Sequence, residues 1–104
     1  MENKQYKLRF LPIFEQDMIE AVDYIAGNLK NPAAAERLVD DIQNAIKKRQ
    51  QCPLAFEAYP SMKQRKTKYY PIYVGSYIVF YVVIDDVMEV RRLIYSRRDM
   101  NQQI

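Results

Sequence analysis

The 104-residue chain contains no histidine, no tryptophan, two glycines and one cysteine. With no histidine and no second cysteine, a Cys/His zinc site and a papain-like nucleophile are both excluded, and no cofactor or metal is expected. Cys52 alone cannot form an intrachain disulfide, so nothing argues for secretion. The two glycines, Gly27 and Gly75, leave no room for a flexible linker or a glycine-rich phosphate loop. No apolar run approaches the roughly 18 residues of a membrane span, and MENKQYKLRF lacks the apolar core of a signal peptide. The expectation is one cytoplasmic domain, residues 1–104, with no membrane partner.

The C-terminal third organises the chain. Tyr77 to Ile84 carries no charge: Tyr77, Val79, Tyr81 and Val83 face one way, and Ile78, Phe80, Val82 and Ile84 the other. A strand apolar on both faces belongs in the middle of a sheet. Gly75-Ser76 before it reads as a type II′ turn, and Asp85-Asp86 after it as a second tight turn. Pro71 demotes the strand from Lys68 to Val74 to an edge or a bulge. In the last strand, Val87 to Tyr95, strict alternation places Met88, Val90, Arg92 and Ile94 on one face. Glu89, Arg91, Leu93 and Tyr95 then share the other.

Upstream, Tyr6, Leu8 and Phe10 alternate with Lys7 and Arg9 as in a half-buried strand that Pro12 stops. Phe14, Met18, Ala21, Val22, Ile25 and Leu29 form the stripe of a helix over Ile13 to Leu29, weakened at Gly27 and ended by Asn28 to Asn31. Asn31-Pro32 opens a second helix to about Gln50, with Ala35, Leu38, Val39, Ile42, Ala45 and Ile46 as its buried stripe. Lys47, Lys48 and Arg49 suit its C-terminal dipole. Leu54 to Lys68 reads as an exposed loop, with Phe56, Tyr59 and Met62 apolar enough to pack back on the domain.

The predicted order is therefore β-α-α-β-β-β, an α+β two-layer sandwich. An antiparallel helical hairpin packs on one face of a mainly antiparallel sheet. Met88, Val90 and Ile94 should face the helices, with Arg91 and Tyr95 on the open face; alternation puts Arg92 on the helix side unless it sits at the edge and snorkels. The formal charge is only +3, but the cations cluster: Lys63, Arg65, Lys66 and Lys68 in the loop, and Arg91, Arg92, Arg97 and Arg98 at the end. Lys63, Arg65, Lys66, Arg91, Arg92 and Arg98 are the candidate contacts for a target or an acidic partner.

The ordered motifs resemble the RelE/ParE family of toxins from bacterial type II toxin–antitoxin systems. They are Tyr6-x-Leu8-x-Phe10, Asp23-Tyr24-Ile25, Asn31-Pro32-x-Ala34-Ala35-x-Arg37-Leu38, Pro53, Tyr77-x-x-Phe80-Tyr81-x-Val83 and Arg92-Leu93-Ile94-Tyr95-x-Arg97-Arg98-Asp99. The resemblance implies a growth inhibitor, of the kind linked to plasmid stabilisation, neutralised by a cognate antitoxin protein. It also implies binding to operator DNA only together with that antitoxin. The family divides between ParE-like inhibitors of DNA gyrase and RelE-like nucleases that cut messenger RNA in the ribosome.

RelE-like nucleases place an arginine directly after the tyrosine that opens the middle strand, where this chain has Ile78. An apolar residue cannot stabilise charge developing on a phosphodiester. At the end of the last strand, where those relatives often carry histidine, this chain has Tyr95, and on both departures the reading leans to ParE-like inhibition by binding. The alternative is a ribosome-dependent endoribonuclease, with Tyr95 as general acid or base and Arg91, Arg97 and Lys68 on the phosphate. A third reading is a non-toxic relative retained as a binding module.

Overall fold

The computed structural model describes residues 5–60 and 67–96. Seven elements follow in order: β1 (Lys7–Phe10), α1 (Pro12–Asp23), a wide helical turn (Tyr24–Asn28), α2 (Pro32–Gln50), β2 (Tyr70–Val74), β3 (Tyr77–Ile84) and β4 (Val87–Tyr95). The sheet order is β1-β4-β3-β2. β2, β3 and β4 form an antiparallel meander, and β1 joins β4 in parallel, so the sheet is mixed. This is the expected α+β fold, with the uncharged β3 inside the sheet and the proline-bearing β2 at its edge.

Local chemistry accounts for the element boundaries. Gly75 adopts φ 57°, as a type II′ turn requires at its first central position, and Asp85 takes φ 55° in the next turn. The Asn31 side chain accepts a hydrogen bond from the Ala34 N–H at 3.1 Å and caps α2, with Pro32 in the first helical position. After Asp23 the helix widens: the Leu29 N–H donates to the Tyr24 carbonyl at 3.0 Å, an i→i+5 bond. A turn closed in this way holds one residue more than an α turn. It therefore rotates Leu29 off the stripe the sequence put it on, and Leu29 is exposed. Lys30, at φ 52°, reverses the chain into α2.

Phe14 and Ala21 of α1 and Ile42 and Ile46 of α2 are buried in one core with Val79 and Tyr81 of β3 and Met88, Val90 and Leu93 of β4. On the opposite face Ile78, Phe80 and Ile94 form a smaller cluster under Tyr59 and Tyr69. Tyr59 meets Phe80 edge-on, 5.1 Å between centroids, and its N–H donates to the Tyr69 carbonyl at 2.7 Å. Tyr59 and Tyr69 thus cover part of the face expected to be open, while Met62 lies outside the described residues.

One feature of β4 overturns the strict alternation. Phe80 pairs with Arg92 but Tyr81 pairs with Val90, so Arg91 has no opposite residue and forms a β-bulge. A bulge inserts one residue and reverses the facing of everything beyond it. Leu93, expected on the open face, joins the core beneath the helices, whereas Ile94, expected beneath them, packs with Ile78 and Phe80. Tyr95 likewise leaves the face of Arg91. It lines a cavity with Asp17, Ala21 and Tyr24 on the helix side.

Candidate functional site

Glu89 is the one buried charged residue among the described residues, 5% exposed on the face away from the helices. The parallel pairing of β1 with β4 sets Arg9 directly beside it. Arg9 donates to Glu89 Oε2 from Nε at 2.6 Å, and Arg91 donates to Oε1 from Nε at 2.7 Å. Nη1 of Arg91 also donates to the Tyr69 hydroxyl at 2.8 Å. Burial pushes the Glu89 carboxyl up, but the hydrogen bonds and charges of Arg91 and Arg9 outweigh it and hold it below its ordinary value. For Arg91, burial disfavours the cation, yet Tyr69 and Glu89 more than restore it and raise its pKa.

Arg92 points elsewhere. β1 ends at Phe10, opposite Val90, so β4 becomes an edge beyond that point. Asp17 of α1 occupies this edge. It accepts two hydrogen bonds from the Arg92 guanidinium, at 2.8 and 3.2 Å, and one from the Leu93 N–H at 3.0 Å. The hydrogen bonds from Arg92 to Asp17 raise the arginine's pKa against the opposing effect of its burial. Arg92 thus sits at the edge rather than beneath the helices, and its cation ties the sheet to the helical hairpin.

Tyr95 stands apart from both groups. Its ring meets that of Tyr77 edge-on, 5.5 Å between centroids, on the helix side of the sheet. Ile78 sits in the apolar cluster of the second face, 5% exposed. Lys68 is exposed at the approach to β2. Lys63, Arg65, Lys66, Arg97 and Arg98 lie outside the described residues. Of the sequence candidates, then, Arg91 and Arg92 are neighbours engaged by different carboxylates, and Tyr95 is separated from Arg91 by the sheet.

Sequence reasoning assigned no site role to Arg9, Glu89, Tyr69 or Arg49. Arg49, read only as a helix-terminal cation, donates from Nη1 to the Pro71 carbonyl and to the Tyr81 hydroxyl, each at 3.0 Å. Its guanidinium lies 3.6 Å from the centroid of Phe56, and Tyr81 in turn donates to the Pro53 carbonyl at 2.6 Å. The signal for this junction was Tyr81 itself, since a tyrosine in an uncharged strand needs a partner for its hydroxyl.

No described helix is long and apolar enough to cross a membrane. Among the described residues no group of three or more His, Cys, Asp or Glu is placed to hold a metal ion.

Residues 8–100 match the family model described as the ParE toxin of the type II toxin–antitoxin system, parDE. A sequence comparison with curated proteins finds no match. Among solved structures, the chain is similar to one titled as the chromosomal ParDE TA system from P. aeruginosa. That match has a TM-score of 0.72 and 17% sequence identity, over 88% of this chain and 97% of the other.

Proposed function

The chain belongs to the ParE toxin family of type II toxin–antitoxin systems, and from that premise we propose that it inhibits growth by binding DNA gyrase rather than by cleaving RNA. The observation that carries this reading is the dispersal, among the described residues, of the groups a nuclease would need; Arg97 lies outside them. A general acid or base must reach the same phosphodiester as the cations that stabilise its developing charge. Tyr95 and Arg91 are on opposite faces of the sheet. Arg91 and Arg9 are bound to Glu89, and Arg92 to Asp17. Ile78 is buried in an apolar cluster. These cations serve the fold, and an inhibitor that acts by binding needs no reacting constellation.

In this reading a cognate antitoxin neutralises the toxin in the cytoplasm of a bacterium, and the pair together binds operator DNA. Inducing the gene without its antitoxin tests the proposal. Blocked replication with an SOS response is the expected result. Rapid arrest of translation with cut messenger RNA would overturn the choice of target, and unimpaired growth would overturn toxicity itself.

A further inference from the structure

The helix side of the β3–β4 hairpin end holds a cavity of about 470 Å³ that the growth-inhibition reading leaves unused. Its walls are Tyr77 and Tyr95 from the sheet and Asp17, Glu20 and Tyr24 from the first helical segment. The volume lies within the range of ligand-sized pockets. The charged residues described in its lining, Asp17 and Glu20, are both acidic, in a chain whose formal charge is +3. Asp17 is matched by Arg92. Glu20 has a 3.4 Å contact from the neutral Gln16 amide and lies within electrostatic reach of Arg92, so among the described residues two carboxylates share one guanidinium at the rim. A single cation flanked by tyrosine rings is the complement of such a site.

The backbone beside the cavity narrows the ligand class. Ile94 pairs with Ile78, and the Ser96 N–H donates to the Ser76 carbonyl at 2.8 Å, so both residues direct their main chain toward β3. The intervening Tyr95, and Leu93 before it, present theirs on the outer edge, where the Leu93 N–H already meets Asp17. β1 stops at Phe10 and does not reach this stretch. Strand edge, carboxylate and aromatic rings are therefore contiguous. A small free cation would use the rings and the carboxylate but not the strand edge.

We propose that this corner binds an extended peptide segment, its main chain pairing with the β4 edge at Tyr95 and an arginine side chain entering the tyrosine-lined cavity beside Glu20. Main-chain pairing supplies affinity, and the pocket supplies the choice of side chain. The guanidinium suits the site because it stacks on aromatic rings while donating to a carboxylate. The inference is independent of which target the toxin inhibits, because it concerns the toxin alone.

The test is a titration of the isotope-labelled full chain with the blocked pentapeptide acetyl-Thr-Val-Arg-Val-Thr-amide, followed by NMR. A second peptide carries norleucine in place of arginine. Shifts confined to Glu20, Tyr24, Leu93, Tyr95 and their neighbours are expected. The norleucine peptide should bind about five-fold more weakly or worse, having lost both the charge and the cation–π contact. Glu20→Gln and Tyr24→Ala should weaken the arginine peptide similarly. Both positions are exposed, so folding is expected to survive and is checked by thermal melts. Equal binding of the two peptides, shifts centred elsewhere, no shifts at all, or shifts that follow protein rather than peptide concentration would each overturn the proposal.

Discussion

Replacing Glu89 by glutamine probes the centre of the second face with almost no change of shape. The wild-type side chain is 7% exposed and receives Arg9 on one oxygen and Arg91 on the other. Glutamine keeps one acceptor, but its amide opposes the second guanidinium with donor against donor. The change removes the charge assistance of both contacts and leaves Arg91, itself only 26% exposed, poorly paired. Hydrogen bonds to charged groups contribute about 1.5–3 kcal/mol each, and Arg9, half exposed, recovers part of its loss from water. The expected destabilisation is about 2–3 kcal/mol at pH 7. For a domain of this size that is a fall in Tm of roughly 10–20 °C.

The pH dependence has a definite sign. The folded Glu89 pKa is lowered from 4.5, so its stabilisation is fully present above that value. It disappears as pH falls through the lower folded value, where protonation releases both arginines. The difference between wild type and Glu89→Gln should therefore be constant above about pH 5 and shrink below it. Urea unfolding from pH 3 to pH 7 measures this. A difference under about 0.5 kcal/mol at pH 7, or one that does not narrow in acid, would refute the assignment of Glu89 as the residue that holds the two arginines.

Other perturbations report on other junctions. Asp17→Ala removes three hydrogen bonds at the β4 edge and should cost about 2–4 kcal/mol in urea unfolding, with Asp17→Asn milder because it can still accept from the Leu93 N–H. Lys30→Gly should raise stability by about 1 kcal/mol in thermal melts, since φ 52° is strained for lysine and open to glycine. Gly75→Ala should lower it by about 1–2 kcal/mol for the same reason at φ 57°, with no steric contribution because nothing lies within 4 Å of the added carbon.

Much of the architecture was legible where a local signal had one reading. The uncharged run from Tyr77 to Ile84 required cover on both faces, and the helical core on one side and Tyr59 and Tyr69 on the other provide it. Asn31-Pro32 and Gly75-Ser76 specified a cap and a turn from their own chemistry. The parallel partnership of β1 with β4 was not legible, because the chain crosses the helical hairpin before returning and no turn fixes the pairing.

The bulge at Arg91 escaped strict alternation because register depends on two strands and periodicity reads only one. A trace of it was present. Arg91-Arg92 followed by Leu93-Ile94 sets two charged residues and then two apolar ones side by side, a pattern no regular two-faced strand accommodates. That single inserted residue moved Tyr95 to the helix side and dissolved the expected pairing with Arg91. The cation that RelE-like nucleases carry at the middle strand is absent in both views, since Ile78 is apolar in sequence and buried in the structure.

The claim that the described arginines and Tyr95 form no reacting site is tested most directly with purified components. The chain and its Tyr95→Phe variant are added, in parallel, to a gyrase supercoiling reaction and to messenger RNA on programmed ribosomes. Inhibition of supercoiling by both proteins to the same extent, with the messenger left intact, is the predicted result. Cleavage of the messenger at the ribosomal A site that is lost on Tyr95→Phe would contradict it.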